Sequence, residues 1–195
     1  GNNTPEMCEG FGMAMRLERN KDEFLDESIK FFNSEEFINS IANKFNIKRR
    51  NKDTIDSGLQ KYLDGYEISP HPDIRKKLLT FMINVNTNIN SEEINHHTHL
   101  LNLRKEYLNI NKFWEENPLS DRTWLPWDWC ETSFLHKQNN SLIAFPPCNE
   151  SIHAVKAIYN HLNDQRTQFY GNLWLEKSPC NSMPDHKYLE KICQK

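Results

Sequence analysis

His71-Pro72-Asp73 puts an imidazole and a carboxylate two residues apart, and in extended backbone residues i and i+2 project to the same side. Such a pair can share a metal ion. Pro72 gives up a ladder hydrogen bond, which places the tripeptide at a strand end or edge, where a site opening on a cavity would sit. A second imidazole, His153, lies eighty residues after Asp73 in Ser151-Ile152-His153-Ala154-Val155, a stretch that reads as extended. Two imidazoles and one carboxylate on one face of an octahedral ion leave open coordination positions, which suits ligand exchange better than a closed structural site.

The elements that must position these residues follow from the hydrophobic period. Residues 22 to 47 carry Phe24, Leu25, Ile29 and Phe32, then Phe37, Ile38, Ile41 and Phe45, at helical spacing, which predicts two helices. Ser34, followed by Glu35-Glu36, suits a helix start, since serine caps and acids favour the positive end of the dipole. From Gly58 the pattern turns extended, over 59 to 63, 66 to 68 and the apolar run 78 to 85, and Pro70 and Pro72 forbid a helix between them. Residues 91 to 117 return to helical spacing and predict an inserted helical block. Short extended pieces follow at 132 to 136, 142 to 145, 152 to 158 and 169 to 175, separated by turn chemistry at Asn139-Asn140, Pro146-Pro147 and 160 to 164. Strands of this kind favour a barrel or sandwich.

A chain of 195 residues fits one domain. Its 37% hydrophobic content is thin, but 11% aromatic residues supply large buried surfaces. The 24 basic and 27 acidic residues are scattered, so no footprint for nucleic acid or anionic lipid stands out. No apolar run approaches the roughly 20 residues of a membrane-spanning helix, and Gly1-Asn2-Asn3-Thr4 lacks the features of a secretory signal, so a soluble cytoplasmic protein is the expectation. Cys8, Cys130, Cys148, Cys180 and Cys193 are odd in number and contain no CxxC pair, which argues against a disulfide framework or a thiolate zinc site.

Two histidines and a carboxylate with open positions are the donor set of non-haem Fe(II) oxygenases. The ordered set His-x-Asp, a distal His near a strand start and an Arg about one strand further on resembles the 2-oxoglutarate/Fe(II)-dependent oxygenase superfamily, particularly its prolyl-hydroxylase-like branch. Tyr62-Leu63-Asp64-Gly65-Tyr66-Glu67-Ile68-Ser69-Pro70-His71-Pro72-Asp73 looks like that branch's tyrosine and glycine strand leading into the metal motif. Leu79-Thr80-Phe81-Met82-Ile83-Asn84-Val85-Asn86 resembles the next strand, Ser141-Leu142-Ile143-Ala144-Phe145-Pro146 the strand before the distal His, and residues 34 to 45 the preceding helix.

The resemblance implies that His71, Asp73 and His153 bind Fe(II), that Arg166 grips the distal carboxylate of 2-oxoglutarate bidentately, and that Tyr62 hydrogen-bonds it. O₂ would take a remaining position, and decarboxylation to succinate would drive oxidation, usually hydroxylation, of a substrate C–H bond. The expected fold is mainly β with flanking helices (α+β), a distorted double-stranded β-helix of jelly-roll, cupin-like form in a single domain over 1–195. Its helical N-terminal part is about 20–50, its core about 58–86 and 131–175, and a helical or loop insertion of about 87–130 covers the site and shapes substrate choice. Two departures stand out. The helical block intervenes where a paired-glycine segment normally follows, leaving Cys130-Glu131-Thr132-Ser133-Phe134 at the glycine position, and thirteen residues from His153 to Arg166 is slightly long.

Singly, a histidine is more often a satisfied structural residue and an arginine a surface ion-pair member, so only the ordered set carries weight. The alternative is a jelly roll that binds or senses a metal without catalysis. A J-domain-like co-chaperone also bears His-Pro-Asp, but there the tripeptide joins two helices, whereas Gly58, Gly65 and Pro70 precede it here. His96-His97-Thr98-His99, beside Glu92 and Glu93, reads as a solvated helix face rather than a second metal site. Trp124, Trp127 and Trp129 fit a substrate wall or core packing equally. The substrate, a small molecule or a protein side chain, is not readable.

Overall fold

The computed structural model describes residues 10, 12–18, 21–159 and 164–180. Two helices, α1 (Glu23–Phe32) and α2 (Glu35–Lys44), are capped by side chains: Ser34, the expected start, accepts from the Phe37 backbone N–H, and Asp22 accepts from that of Leu25. Phe32, Phe37, Ile38 and Ile41 on these helices pack against Leu79, Phe81 and Leu173 of a sheet.

Among the described residues there are nine strands: β1 (Ala14–Arg16), β2 (Thr54–Tyr62), β3 (Ile68–His71), β4 (Lys77–Asn84), β5 (Thr98–Leu103), β6 (Cys130–His136), β7 (Leu142–Phe145), β8 (His153–Val155) and β9 (Arg166–Trp174). They form two antiparallel sheets, ordered β1-β2-β9-β4-β7 and β3-β8-β5-β6. In β9 the period of two sends Phe169 and Leu173 toward the helices, and Arg166, Gln168 and Tyr170 to the opposite face, where they border a cavity between the sheets. Gly171 lies on the helix side, where a Cβ would stand 2.3 Å from the Phe81 ring, so only glycine lets that phenylalanine pack. The second sheet buries Leu101, Leu103, Ile152 and Ala154 outward against Leu125 and Trp114, the latter from α3 (Asn109–Glu116). Inward it presents His71, Thr98, His153 and Val155. Thr98 bridges the layers, with Oγ1 3.6 Å from Met82 Sδ and accepting from Arg166 Nη1 at 3.3 Å.

The helical reading of 91 to 117 is corrected. Thr98-His99-Leu100-Leu101-Asn102-Leu103 is strand β5, flanked by β8 and β6, and only Asn109–Glu116 is α-helical. Pairing on both edges outweighs a weak local period. The excursion from the sheets is therefore residues 104–129, and it is anchored: Trp114 and Leu125 are each 2% exposed. The solvated-face reading of the histidine cluster is corrected too, since His96 and His97 are buried and His97 Nε2 donates to the Ser91 carbonyl at 2.6 Å. Strand β2 begins at Thr54, earlier than Gly58, and β1 carries no sequence signal. Among the described residues no helix is long and apolar enough to cross a membrane. Cys130, Cys148 and Cys180 are free thiols, while Cys8 and Cys193 lie outside the described residues.

Candidate metal centre

His71 ends β3, an edge strand as its neighbouring proline requires, and pairs in register with His153 of β8. The two rings lie 4.4 Å apart. Asp73 follows the strand end with φ +60°, a left-handed conformation that aspartate tolerates better than most residues. Its Oδ1 lies 3.6 Å from His71 Nε2 and its Oδ2 3.7 Å from His153 Nε2. Among the described residues this is the single cluster of three such groups, with one ligand atom from each lying within 4.8 Å of the others.

The backbone sets the tautomers. His71 Nδ1 is 2.8 Å from the Ser69 carbonyl and His153 Nδ1 is 2.9 Å from the Ser151 carbonyl. A carbonyl can only accept, so each Nδ1 carries a proton and Nε2 is the ring nitrogen turned toward Asp73. Burial pushes His153 down to about 4, with His71 and Lys77 acting in the same direction against Asp73 and the Ser151 carbonyl, so the ring is neutral at neutral pH. Burial alone would raise Asp73, but His153, His71 and Lys77 outweigh it and hold the carboxyl well below the usual range. Three Lewis bases thus converge on one point. Cis donors about 2.1 Å from an ion stand about 3 Å apart, so these donors, within 4.8 Å of one another, would have to close by roughly an ångström to seat a divalent transition ion.

Two groups that sequence reasoning missed fix the carboxylate. Lys77 Nζ donates to Asp73 Oδ1 at 2.7 Å and Thr80 Oγ1 donates to Oδ2 at 2.8 Å. Lys77 also contacts the Tyr170 hydroxyl at 3.2 Å and lies 5.1 Å from the Trp174 ring centre. Burial alone would lower this ammonium, but Tyr170 and Asp73 beside it raise it, so it stays charged. Lys77 reaches inward because β4 is irregular between Lys77 and Leu79, which places Lys77 on the face of Thr80 and Met82. A strict alternation would have sent it to the helix side with Leu79.

The cavity, of about 360 Å³, is bordered by all five residues anticipated for the site, His71, Asp73, His153, Arg166 and Tyr62. Arg166 is 2% exposed, and its guanidinium lies 4.0 Å from the Tyr62 ring centre and 5.7 Å from that of Tyr66. Tyr62 and Arg166 are direct partners in the β2–β9 register. Arg166 Nε has no hydrogen-bond partner, and Asp73 is the lone acid among the residues bordering the cavity. The Tyr62 hydroxyl donates to Gln60 Oε1 at 2.6 Å, and burial raises its pKa, so it is un-ionised.

The tryptophans divide between wall and core. Trp124 borders the cavity with its ring 4.3 Å from that of His71. Trp129 instead stacks on Tyr107 at 4.7 Å, and Trp127 donates to Glu67 Oε1 at 3.2 Å while meeting His99 edge-on. The tripeptide His71-Pro72-Asp73 runs off the end of strand β3 rather than joining two helices, which removes the co-chaperone reading.

No family model matches the chain, and no curated protein matches it. Among solved structures it is similar to the crystal structure of a Pseudomonas putida prolyl-4-hydroxylase, at 11% sequence identity and a TM-score of 0.48, over 84% of this chain and 72% of that one.

Proposed function

We propose that the protein is an Fe(II)- and 2-oxoglutarate-dependent oxygenase, probed most directly as a hydroxylase, built on a distorted double-stranded β-helix. The observation that carries the reading is one cavity that joins three convergent metal donors, His71, Asp73 and His153, to a buried guanidinium with an unpartnered Nε, that of Arg166. A buried cation without a counter-ion is costly, and an incoming carboxylate recovers that cost. Arg166 therefore anchors the far carboxylate of the keto-diacid, with Tyr62 packed on the guanidinium and Thr98 holding Nη1. Iron bound by the triad would supply O₂ activation coupled to oxidative decarboxylation of the co-substrate. Lys77 and Thr80 keep the Asp73 carboxylate in one orientation, and the Ser69 and Ser151 carbonyls do the same for the two rings. Trp124 covers His71 and helps exclude water from the reacting centre.

Anaerobic titration with Fe(II) and 2-oxoglutarate tests this. A weak visible charge-transfer band of the chelated complex is expected in the wild-type protein and not in His153→Ala, and succinate should be released on admitting O₂. A second reading, a jelly-roll module that binds or senses a metal without catalysis, is favoured by Lys77, whose ammonium already neutralises Asp73 at 2.7 Å. Metal binding without succinate release would select that reading.

A further inference from the structure

Arg122 is a third buried cation on the cavity and, unlike Lys77, it has no carboxylate partner among the described residues. The residue is 8% exposed, its Nε has no hydrogen-bond partner, and among the described residues no carboxylate forms an ion pair with it. Its neighbour Asp121 instead accepts from the Arg75 backbone N–H at 2.7 Å. Arg122 borders the cavity together with His71, Asp73, Lys77 and Trp124, and is thus set near the metal donors.

The chain on both sides of Arg122 is fastened down. Arg75, two residues after Asp73, donates from Nε to the Ser120 carbonyl at 2.7 Å and from Nη2 to the Trp114 carbonyl at 2.5 Å. On the other side the Leu125 N–H donates to the Pro70 carbonyl at 2.8 Å, one residue before His71. These ties hold Arg122-Thr123-Trp124 against the metal-bearing strand end in a fixed pose, the preorganisation a binding group needs.

One charged group on the cavity is left without a counter-charge. Asp73 is paired with Lys77, and the two carboxylates of the co-substrate would answer the metal ion and Arg166. Nothing is left for Arg122. Resting on the oxygenase reading above, we propose that Arg122 receives a carboxylate of the substrate, so that the molecule oxidised is a small carboxylic acid whose carbon skeleton lies against Trp124. The cavity of about 360 Å³ is at the lower end of ligand pockets and must also hold the co-substrate, which favours a small acid.

The test uses the protein reconstituted with Fe(II) and 2-oxoglutarate without O₂. Small carboxylic acids, from acetate to the free L-amino acids, are compared with their amides for their effect on the charge-transfer band. At least one acid is expected to shift the band, with its amide roughly thirtyfold weaker or more, and Arg122→Gln should weaken the acid by a similar factor. A third variant separates binding from architecture: Arg122→Met removes an unpaired buried charge while keeping the packing volume, so it should melt at or above the wild-type temperature. Acids and amides acting alike, no acid acting at all, or Arg122→Met melting several degrees lower would each overturn the proposal. Absence of the band in the wild-type protein before any acid is added would instead remove the oxygenase reading, and this proposal with it.

Discussion

Replacing Lys77 by Met should destabilise the metal-free protein far more than the metal-loaded one. The Lys77 and Asp73 side chains are 7% and 6% exposed and their charged atoms are 2.7 Å apart. At an effective dielectric of about 20 the bare attraction is roughly 6 kcal/mol, an upper bound. Breaking a buried pair by removing one partner costs about 3–5 kcal/mol, because the remaining charge stays buried. Thr80 still donates to Oδ2, so the lower end of that range, about 3 kcal/mol, is expected. For a chain of this size that is a fall of about 6–12 °C in melting temperature. Urea unfolding in a chelator measures the loss. Repeating it with excess Co(II) measures the recovery, since a divalent ion supplies the positive charge that the variant lacks, and metal should stabilise Lys77→Met more than wild type. A loss under about 1 kcal/mol in chelator, or equal stabilisation of both proteins by metal, would refute the idea that lysine and ion neutralise the same carboxylate.

Gly171→Ala should lower the melting temperature clearly, because the new Cβ would meet Phe81 ring carbons at 2.3 and 2.4 Å and the Ser57 Cβ at 2.6 Å, an overpacking worth about 1–3 kcal/mol or more; an unchanged melt would contradict the β2–β9–β4 packing. His97 is fully buried, and burial lowers it to about 4, so it is neutral in the folded state while the unfolded chain binds a proton below about 6.5. Its contribution to stability is thus complete above about pH 6.5 and falls as pH drops toward 4, by roughly 3 kcal/mol. His97→Gln should flatten the stability–pH curve over that window without abolishing the slope, since His153 titrates in the same direction, and an unaltered slope would place the titration elsewhere. Arg166→Lys keeps the charge but loses the planar fork, so the KM for 2-oxoglutarate in a succinate-release assay should rise roughly 10- to 100-fold with a smaller change in kcat; an unchanged KM would assign the far carboxylate to another cation.

The types and order of the candidate site residues are legible in the sequence, because those are statements about chemistry and local geometry. His71 and Asp73 flank a proline that suits a strand end or edge, and β3 is the edge of its sheet with Asp73 just past it. The two helices, the start of α2, the apolar strand β4 and the turn-bounded strands β6 and β7 likewise follow from capping and periodicity, which act over a few residues. What the tertiary structure decided depends on partners far along the chain. β5 is a strand because β8 and β6 pair with its two edges, a contribution absent from the local helical spacing of residues 91 to 117. His97, one residue before β5, is fully buried and held by the Ser91 carbonyl. Lys77 reaches Asp73 because an irregularity in β4 reverses the face its position would otherwise take, and no residue type signals that irregularity. Arg122 looks like any charged loop residue until Arg75 and Pro70 pin its segment beside the candidate metal donors. Side-chain chemistry is written residue by residue, but burial and charge pairing are properties of distance across the fold, and distance is set only when the two sheets close on each other.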